Sequence, residues 1–239
     1  MSINANNILI IGLGMIGSSI ALACKSKGIN VKGFDLDKSV YQGALKNNVI
    51  DESVEFLENI NSLEFVSDID LIVIAVPPKQ TLDVINKLDL IWNTETTITD
   101  TSSVKNHIKL ANVNNFVLSH PIAGSDKSGL SAADLNLFNN KKNVICNPFN
   151  ADQKHLDRVE NFWSGALNMN ISHMSVSEHD LIFAMTSHLP HLVSYALIDS
   201  IRLSPIDVAD NAGGGLKEFL RLSGSNPEMW RDIFTLNRV

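Results

Sequence analysis

Near its amino end the chain reads Ile8-Leu9-Ile10-Ile11-Gly12-Leu13-Gly14-Met15-Ile16-Gly17, an apolar run that breaks into glycines spaced GxGxxG and continues without charge or proline to Cys24. Few folds accommodate such a pattern. It describes a strand, a tight turn and a helix. Gly12 permits the turn, Gly14 lets backbone approach a pyrophosphate, and Gly17 allows the helix to pack closely on the sheet. A second apolar run, Val31–Phe34, ends in Asp35, 23 residues after Gly12, where a carboxylate accepts hydrogen bonds from a ribose diol. The candidate cofactor contacts are therefore Gly12, Leu13, Gly14, Met15, Ile16, Gly17 and Asp35. A carboxylate at that point repels a 2′-phosphate, and only Lys38 lies near to offset it, so NAD is expected over NADP. Taken alone, the glycines also fit a closely packed corner, and Asp35 a solvated turn acid.

The rest of the chain extends this pattern. Ile8–Ile11, Val31–Phe34, Leu71–Val76, Thr97–Thr99, Phe116–Leu118 and Asn143–Cys146 read as strands with helical stretches between them, the order of a doubly wound parallel α/β sheet. Beyond about Asn150 no strand is expected. Ala151–Leu167, Ser177–Ile201, Pro205–Asp210, Leu216–Leu222 and a segment opening at Asn226-Pro227 read as helices. The expected division is thus residues 1–150, binding the dinucleotide, and residues 151–239, all helical. The uncharged stretch Leu181–Ile198 is interrupted by His188, Pro190 and His191, which favours a buried helix over a membrane span. A helix apolar on all sides needs cover on all sides, and a homodimer built through these helices is the expected remedy.

The 239 residues are 44% hydrophobic and 19% charged, and 19 basic against 26 acidic residues give a net charge of −7. That balance favours a globular protein of small-molecule chemistry over one that binds nucleic acid or an anionic membrane. Two cysteines, Cys24 and Cys146, suggest a reducing, cytoplasmic setting.

Ligands of open α/β sheets bind outside the carboxyl ends of the strands, and polar groups concentrate where these ends are expected. Val76 and Pro77 follow the third long apolar run and turn the chain over a nicotinamide or ribose; Pro at a strand exit is also ordinary punctuation. Thr99-Asp100-Thr101-Ser102-Ser103-Val104-Lys105 ends a strand in hydroxyls that cap a helix or orient a ligand. In Ser119-His120-Pro121-Ile122-Ala123-Gly124-Ser125 an imidazole sits at a strand end beside the cofactor. Ser187-His188-Leu189-Pro190-His191 places two imidazoles three residues apart on a helix, without the spacing or third ligand of a zinc site. Gly213-Gly214-Gly215 precedes Arg221 and Met229-Trp230-Arg231-Asp232; these glycines also fit a hinge, and either arginine a solvated surface residue.

Together these ordered motifs resemble the prephenate dehydrogenase family, which includes arogenate and cyclohexadienyl dehydrogenases. The resemblance implies a Rossmann domain followed by a helical dimerisation domain, and NAD-dependent oxidative decarboxylation of prephenate to 4-hydroxyphenylpyruvate. Carried over by position, His120 matches the family's catalytic histidine, which hydrogen-bonds the substrate's ring hydroxyl, and Ser103 the serine that helps orient it. His191 and Arg221 match substrate-contacting positions, with Arg221 the carboxylate anchor. Ser125 joins them as a substrate contact, and Val76, Pro77 and Ser102 join the cofactor site. The substrate implied is prephenate or arogenate, and the partner a second copy of the chain. Members commonly continue for several helices past the segment matching Met229–Asp232, whereas this chain is short there. A protein that binds NAD without catalysis is the alternative, though a mere binder needs none of Ser103, His120, His191 and Arg221.

Overall fold

A computed structural model describes residues 5–55, 60, 63–88, 91–124, 127–206 and 211–238. One sheet of eight strands organises the amino-terminal part, in the order β3-β2-β1-β4-β5-β6-β7-β8. β1 (Asn7–Ile11), α1 (Met15–Lys25), β2 (Asn30–Phe34), α2 (Lys38–Lys46) and the short β3 (Glu52–Ser53) form one wing. After α3 (Leu63–Val66) the chain crosses to the other side of β1 for β4 (Leu71–Ile74), α4 (Pro78–Asn86), β5 (Thr97–Asp100) and β6 (Phe116–Pro121). Strand order therefore reverses between β1 and β4, the switch point at whose carboxyl ends open α/β sheets bind their ligands.

The apolar runs are continuous because both sheet faces are covered. Ile8, Ile10, Leu71 and Val73 pack with Ile20 and Cys24 of α1 on one face. Leu9, Ile11, Ile72 and Ile74 pack with Val84 and Ile85 of α4 on the other. The period of two along each strand sends successive side chains to opposite cores.

The expected strand assignments stand with shifts of a few residues at their ends, but two features depart from expectation. The sheet is not wholly parallel: β7 (Lys142–Cys146) runs antiparallel to β6. Between them the described residues hold only the short 3₁₀ turn Leu130–Ala132, with no crossover helix to bring the chain back in the same direction. The second departure lies past Asn150, where α5 (Gln153–Asn161) and a wide π turn (Phe162–Ala166) lead into β8 (Asn170–His173), parallel to β7. Four residues of mixed polarity at a sheet edge carry no apolar signature.

The carboxyl-terminal helices are α6 (Val176–Phe183), a π turn (Ala184–His188), α7 (Leu189–Arg202), α8 (Gly214–Ser223) and α9 (Pro227–Leu236). The helix expected within Pro205–Asp210 falls largely outside the described residues. α7 packs along α8, and α9 returns to lie against α4. A third apolar cluster of Val104, Trp230 and Ile233, with Tyr195 and Phe234 beside it, joins the turn after β5 to α9.

The apolar helix does not meet the expectation of burial. The stretch Val176–Arg202 is long and apolar enough to cross a bilayer, and only 17% of its most apolar window is buried within the chain. Leu181, Ile182, Met185, Leu189, Leu192 and Val193 stand exposed. The helix buries its polar side instead, with His179, Asp180 and His188 turned inward.

Candidate active site

The glycine turn is built as its spacing demands. Gly12 has φ +97°, and a Cβ there would come within 2.6 Å of the Ala75 carbonyl oxygen at the end of β4. A Cβ on Gly17 would stand 1.9 Å from the Gly12 carbonyl oxygen, so α1 can approach the strand only with glycine there. Gly14 differs, since nothing lies within 4 Å of where its Cβ would be. It caps α1 with no side-chain hydrogen bond, leaving open space at the positive end of the helix dipole.

Asp35 closes one side of that space. Its Oδ2 accepts the Leu13 N–H at 2.8 Å and its Oδ1 the Asp37 N–H at 3.0 Å. Leu13 itself is buried, its N–H held by Asp35 and its carbonyl by the Ser18 hydroxyl at 2.8 Å, so it positions the turn rather than offering a free donor. Val76 and the exposed Pro77 follow β4, and the Val76 side chain borders Gly12. Ser102 follows β5, buried, with its hydroxyl donating to the Val104 carbonyl at 2.9 Å; half-buried Ser103 is next to it. Gly12, Val76 and Ser102 thus share the carboxyl end of the parallel strands, where an ADP-bearing cofactor has an uncapped helix for its pyrophosphate and a carboxylate for its ribose.

Beyond β5 lies a buried polar network. Lys105 is wholly buried and its Nζ sits 2.6 Å from Asp100 Oδ2; it also donates to the Ser119 carbonyl. Asp100 Oδ1 accepts the Ser119 N–H at 3.0 Å, so this ion pair fastens the ends of β5 and β6 together. Burial lowers the Lys105 pKa, and Asp100 opposes that shift.

His120, next in β6, is 9% exposed. Its Nδ1 is 2.8 Å from His179 Nε2 on α6, and His179 Nδ1 is 2.7 Å from Asp180 Oδ1. The Phe183 ring packs against His120 at 4.7 Å between centroids. Burial holds the His120 pKa well below its ordinary value, reinforced by the nearby His179, Lys105 and His188. The ring is therefore neutral, and its Nε2 has no hydrogen-bond partner among the described residues.

His188 is buried in the π turn, its pKa pushed down to about 4 by burial. Its Nδ1 lies 3.0 Å from Asn237 Nδ2, which also donates to the Asp180 carbonyl at 2.9 Å. His191 stacks on Trp230 of α9, with ring centroids 3.6 Å apart and planes 19° apart. Arg221 on α8 is close enough to depress the His191 pKa, after burial, yet its side chain is 67% exposed and, among the described residues, meets only Glu218, at 3.5 Å.

The sequence-chosen residues therefore form two groups. Gly12, Gly14, Met15, Ile16, Gly17, Asp35 and Val76 gather around the glycine turn, while Pro77 follows β4 and Ser102 follows β5 at the same end of the sheet. His191 lies beside Arg221 and stacks on Trp230, which the His188 ring also meets; among the described residues neither His191 nor Arg221 is bonded to His120. Ser125 lies outside the described residues. Sequence reasoning missed His179 and Asp180, which lie just before the uncharged stretch and were not singled out; a His-Asp pair on an otherwise apolar helix was the available signal.

Comparison with known proteins identifies the family. A family profile described as "Prephenate dehydrogenase, nucleotide-binding domain" matches residues 20–169, and one described as "Prephenate dehydrogenase, dimerization domain" matches residues 175–239. A prephenate dehydrogenase of Bacillus subtilis is 34% identical over 98% of the chain, and the chain spans 64% of that relative's length. A prephenate dehydrogenase from A. aeolicus, solved in complex with hydroxyphenyl propionate and NAD+, has a TM-score of 0.86 at 31% identity, covering 98% of this chain and 83% of that one. The arogenate dehydrogenase of Synechocystis gives a TM-score of 0.78 at 26% identity, over 97% of this chain and 84% of the other.

Proposed function

The chain belongs to the prephenate dehydrogenase family, and from that premise we propose that it catalyses the NAD-dependent oxidative decarboxylation of prephenate to 4-hydroxyphenylpyruvate. The observation that carries the reading is His120: neutral, fixed on Nδ1, without a hydrogen-bond partner on Nε2 among the described residues, and set at the same strand ends as the glycine turn. NAD, held by the uncapped start of α1 and the Asp35 carboxylate, supplies the hydride acceptor.

The chain's own groups then have defined tasks. His120 Nε2 accepts the ring hydroxyl's proton as the hydroxyl-bearing carbon is oxidised, a role that needs a neutral imidazole. Ser103, after β5, orients that hydroxyl. Arg221, exposed and only weakly paired, offers its forked guanidinium to a substrate carboxylate beside His191. Loss of CO2 yields an aromatic ring, so the protein's main task is to position the substrate.

The reading divides the chain after β8, later than residue 150, because β8 completes the sheet. It also pairs two copies through the exposed apolar side of α6 and α7, in keeping with the dimerization-domain match. Two buried free cysteines accord with a cytoplasmic setting. Arogenate is the second reading for the substrate, supported by the likeness to the Synechocystis enzyme.

The test is NADH formation, followed by absorbance with purified protein, NAD or NADP, and prephenate or arogenate. Turnover with prephenate and NAD is expected. Preference for arogenate selects the second reading, and no turnover with either substrate, despite NAD binding, removes both.

A further inference from the structure

We infer that His179 and Asp180 are positioning residues for His120, holding its proton on Nδ1 and taking up positive charge when Nε2 is protonated. The inference rests on the reading of His120 as the proton acceptor.

The hydrogen bonds leave one consistent arrangement. Asp180 Oδ1 accepts the Lys105 N–H at 2.9 Å and Oδ2 the Asn106 N–H at 2.8 Å. Burial pushes this carboxyl up, but the bonds from His179, Asn106 and Lys105 outweigh it and hold its pKa below the ordinary range. An ionised carboxylate only accepts, so the 2.7 Å contact requires the proton of His179 on Nδ1. Burial keeps His179 neutral, although its Asp180 partner opposes the shift, and a neutral ring protonated on Nδ1 offers a lone pair at Nε2. The 2.8 Å contact from His120 Nδ1 to that atom must then be a donated N–H. His120 is left with its lone pair on Nε2, the form a base requires.

The groups facing this chain hold it in place. The Phe183 ring lies 4.6 Å from His179 and 4.7 Å from His120. The Lys105 cation is matched by Asp100, and Asn237 holds the Asp180 backbone and His188. Against this background Asp180 is the anion linked directly to the imidazoles.

The proton balance gives the relay its use. As hydride leaves the ring carbon, the hydroxyl proton passes to His120 Nε2, and the Nδ1 proton shifts toward His179 Nε2. Positive charge then resides next to the Asp180 carboxylate. When the bond to the departing carboxylate breaks, its electron pair enters the ring, and the ring oxygen recovers its proton from Nε2 while Nδ1 regains its own. Prephenate and NAD give product, CO2 and NADH with no net proton, so the chain of groups stores the proton only between the two bond changes.

The test combines a spectrum with two variants. Long-range ¹H–¹⁵N correlation on the wild-type protein reads which nitrogen of each imidazole carries the proton; Nδ1–H at both His120 and His179 is expected, and Nε2–H at His120 overturns the inference whatever the activity. Asp180→Asn is expected to lower kcat by roughly 10²–10³-fold. It should also shift the acid limb of the kcat/KM profile for prephenate downward by about one pH unit, because the imidazolium loses its counter-charge. NAD affinity by fluorescence should stay within about twofold in that variant. His179→Gln retains a donor toward Asp180 and an acceptor toward His120 but cannot take a proton; a loss of about tenfold in kcat is expected. Unchanged kcat in both variants, or lost NAD affinity with an unmoved acid limb, makes the pair merely structural and overturns the inference. A fully active His120→Asn variant instead overturns the reading of His120 on which it rests.

Discussion

The Asp35 carboxylate, just past β2, is bonded to the Leu13 N–H at 2.8 Å, so the acid proposed to meet the ribose and the turn proposed to meet the pyrophosphate are tied together. Asp35→Ala frees that edge and removes the anion that repels a 2′-phosphate. The kcat/KM ratio of NAD over NADP is expected to fall by about tenfold or more. Steady-state assays with both cofactors check this, and an undiminished preference for NAD would dismiss the ribose contact.

Two glycines of the same turn should behave oppositely. Gly17→Ala puts a methyl 1.9 Å from a carbonyl oxygen and should destabilise the fold by about 3 kcal/mol or more. Gly14→Ala meets no atom of another element within 4 Å among the described residues, so melting should change little while NAD affinity falls about tenfold or more. Thermal melts and a cofactor titration separate the two.

His120→Asn is expected to lower turnover by roughly 10²–10⁴-fold with NAD affinity near normal. An unchanged rate removes His120 from the mechanism.

Arg221→Gln should act on binding. The side chain is 67% exposed and makes no strong bond among the described residues, so stability is expected to hold while KM for prephenate rises about tenfold or more. A KM within about twofold of wild type counts against the anchor role.

Acid should unfold the protein through its histidines. Burial pushes His155 and His188 down to about 4 from 6.5, so both are neutral in the folded state while the unfolded chain binds protons below 6.5. Their contribution is complete above 6.5 and is lost as pH falls toward 4; Asp180, also depressed, adds its own loss only below its ordinary 3.8. Melting temperature should therefore drop between pH 7 and pH 4.5 by about 2–4 °C per kcal/mol lost. His155→Gln should flatten part of that slope in melts across the range, and a flat wild-type profile contradicts the burial argument.

The cofactor end was legible because glycine spacing, apolar strands and Asp35 act locally: each residue's task follows from its neighbours in sequence. β8 was not, since Asn170–His173 gains its place from the ladder with β7 rather than from any pattern of its own. The His120 partnership was half legible. An imidazole at a strand end is visible in sequence, but its pairing with His179, 59 positions away, arises only when α6 folds over the sheet. Burial of the long apolar helix was misjudged because composition gives its hydrophobicity without saying which side meets the chain's own core.

The π turn at Ala184–His188 takes up one residue more than an α-helical turn would, so the helices that flank it stay in frame. Residues before it are keyed to the sheet through His179, and residues after it to α9 through His191 and Trp230. Winding these same residues as α-helix would rotate all that follows by one residue step, about 100°. His191 would leave Trp230, so this single slack turn keeps the two halves of the site in phase.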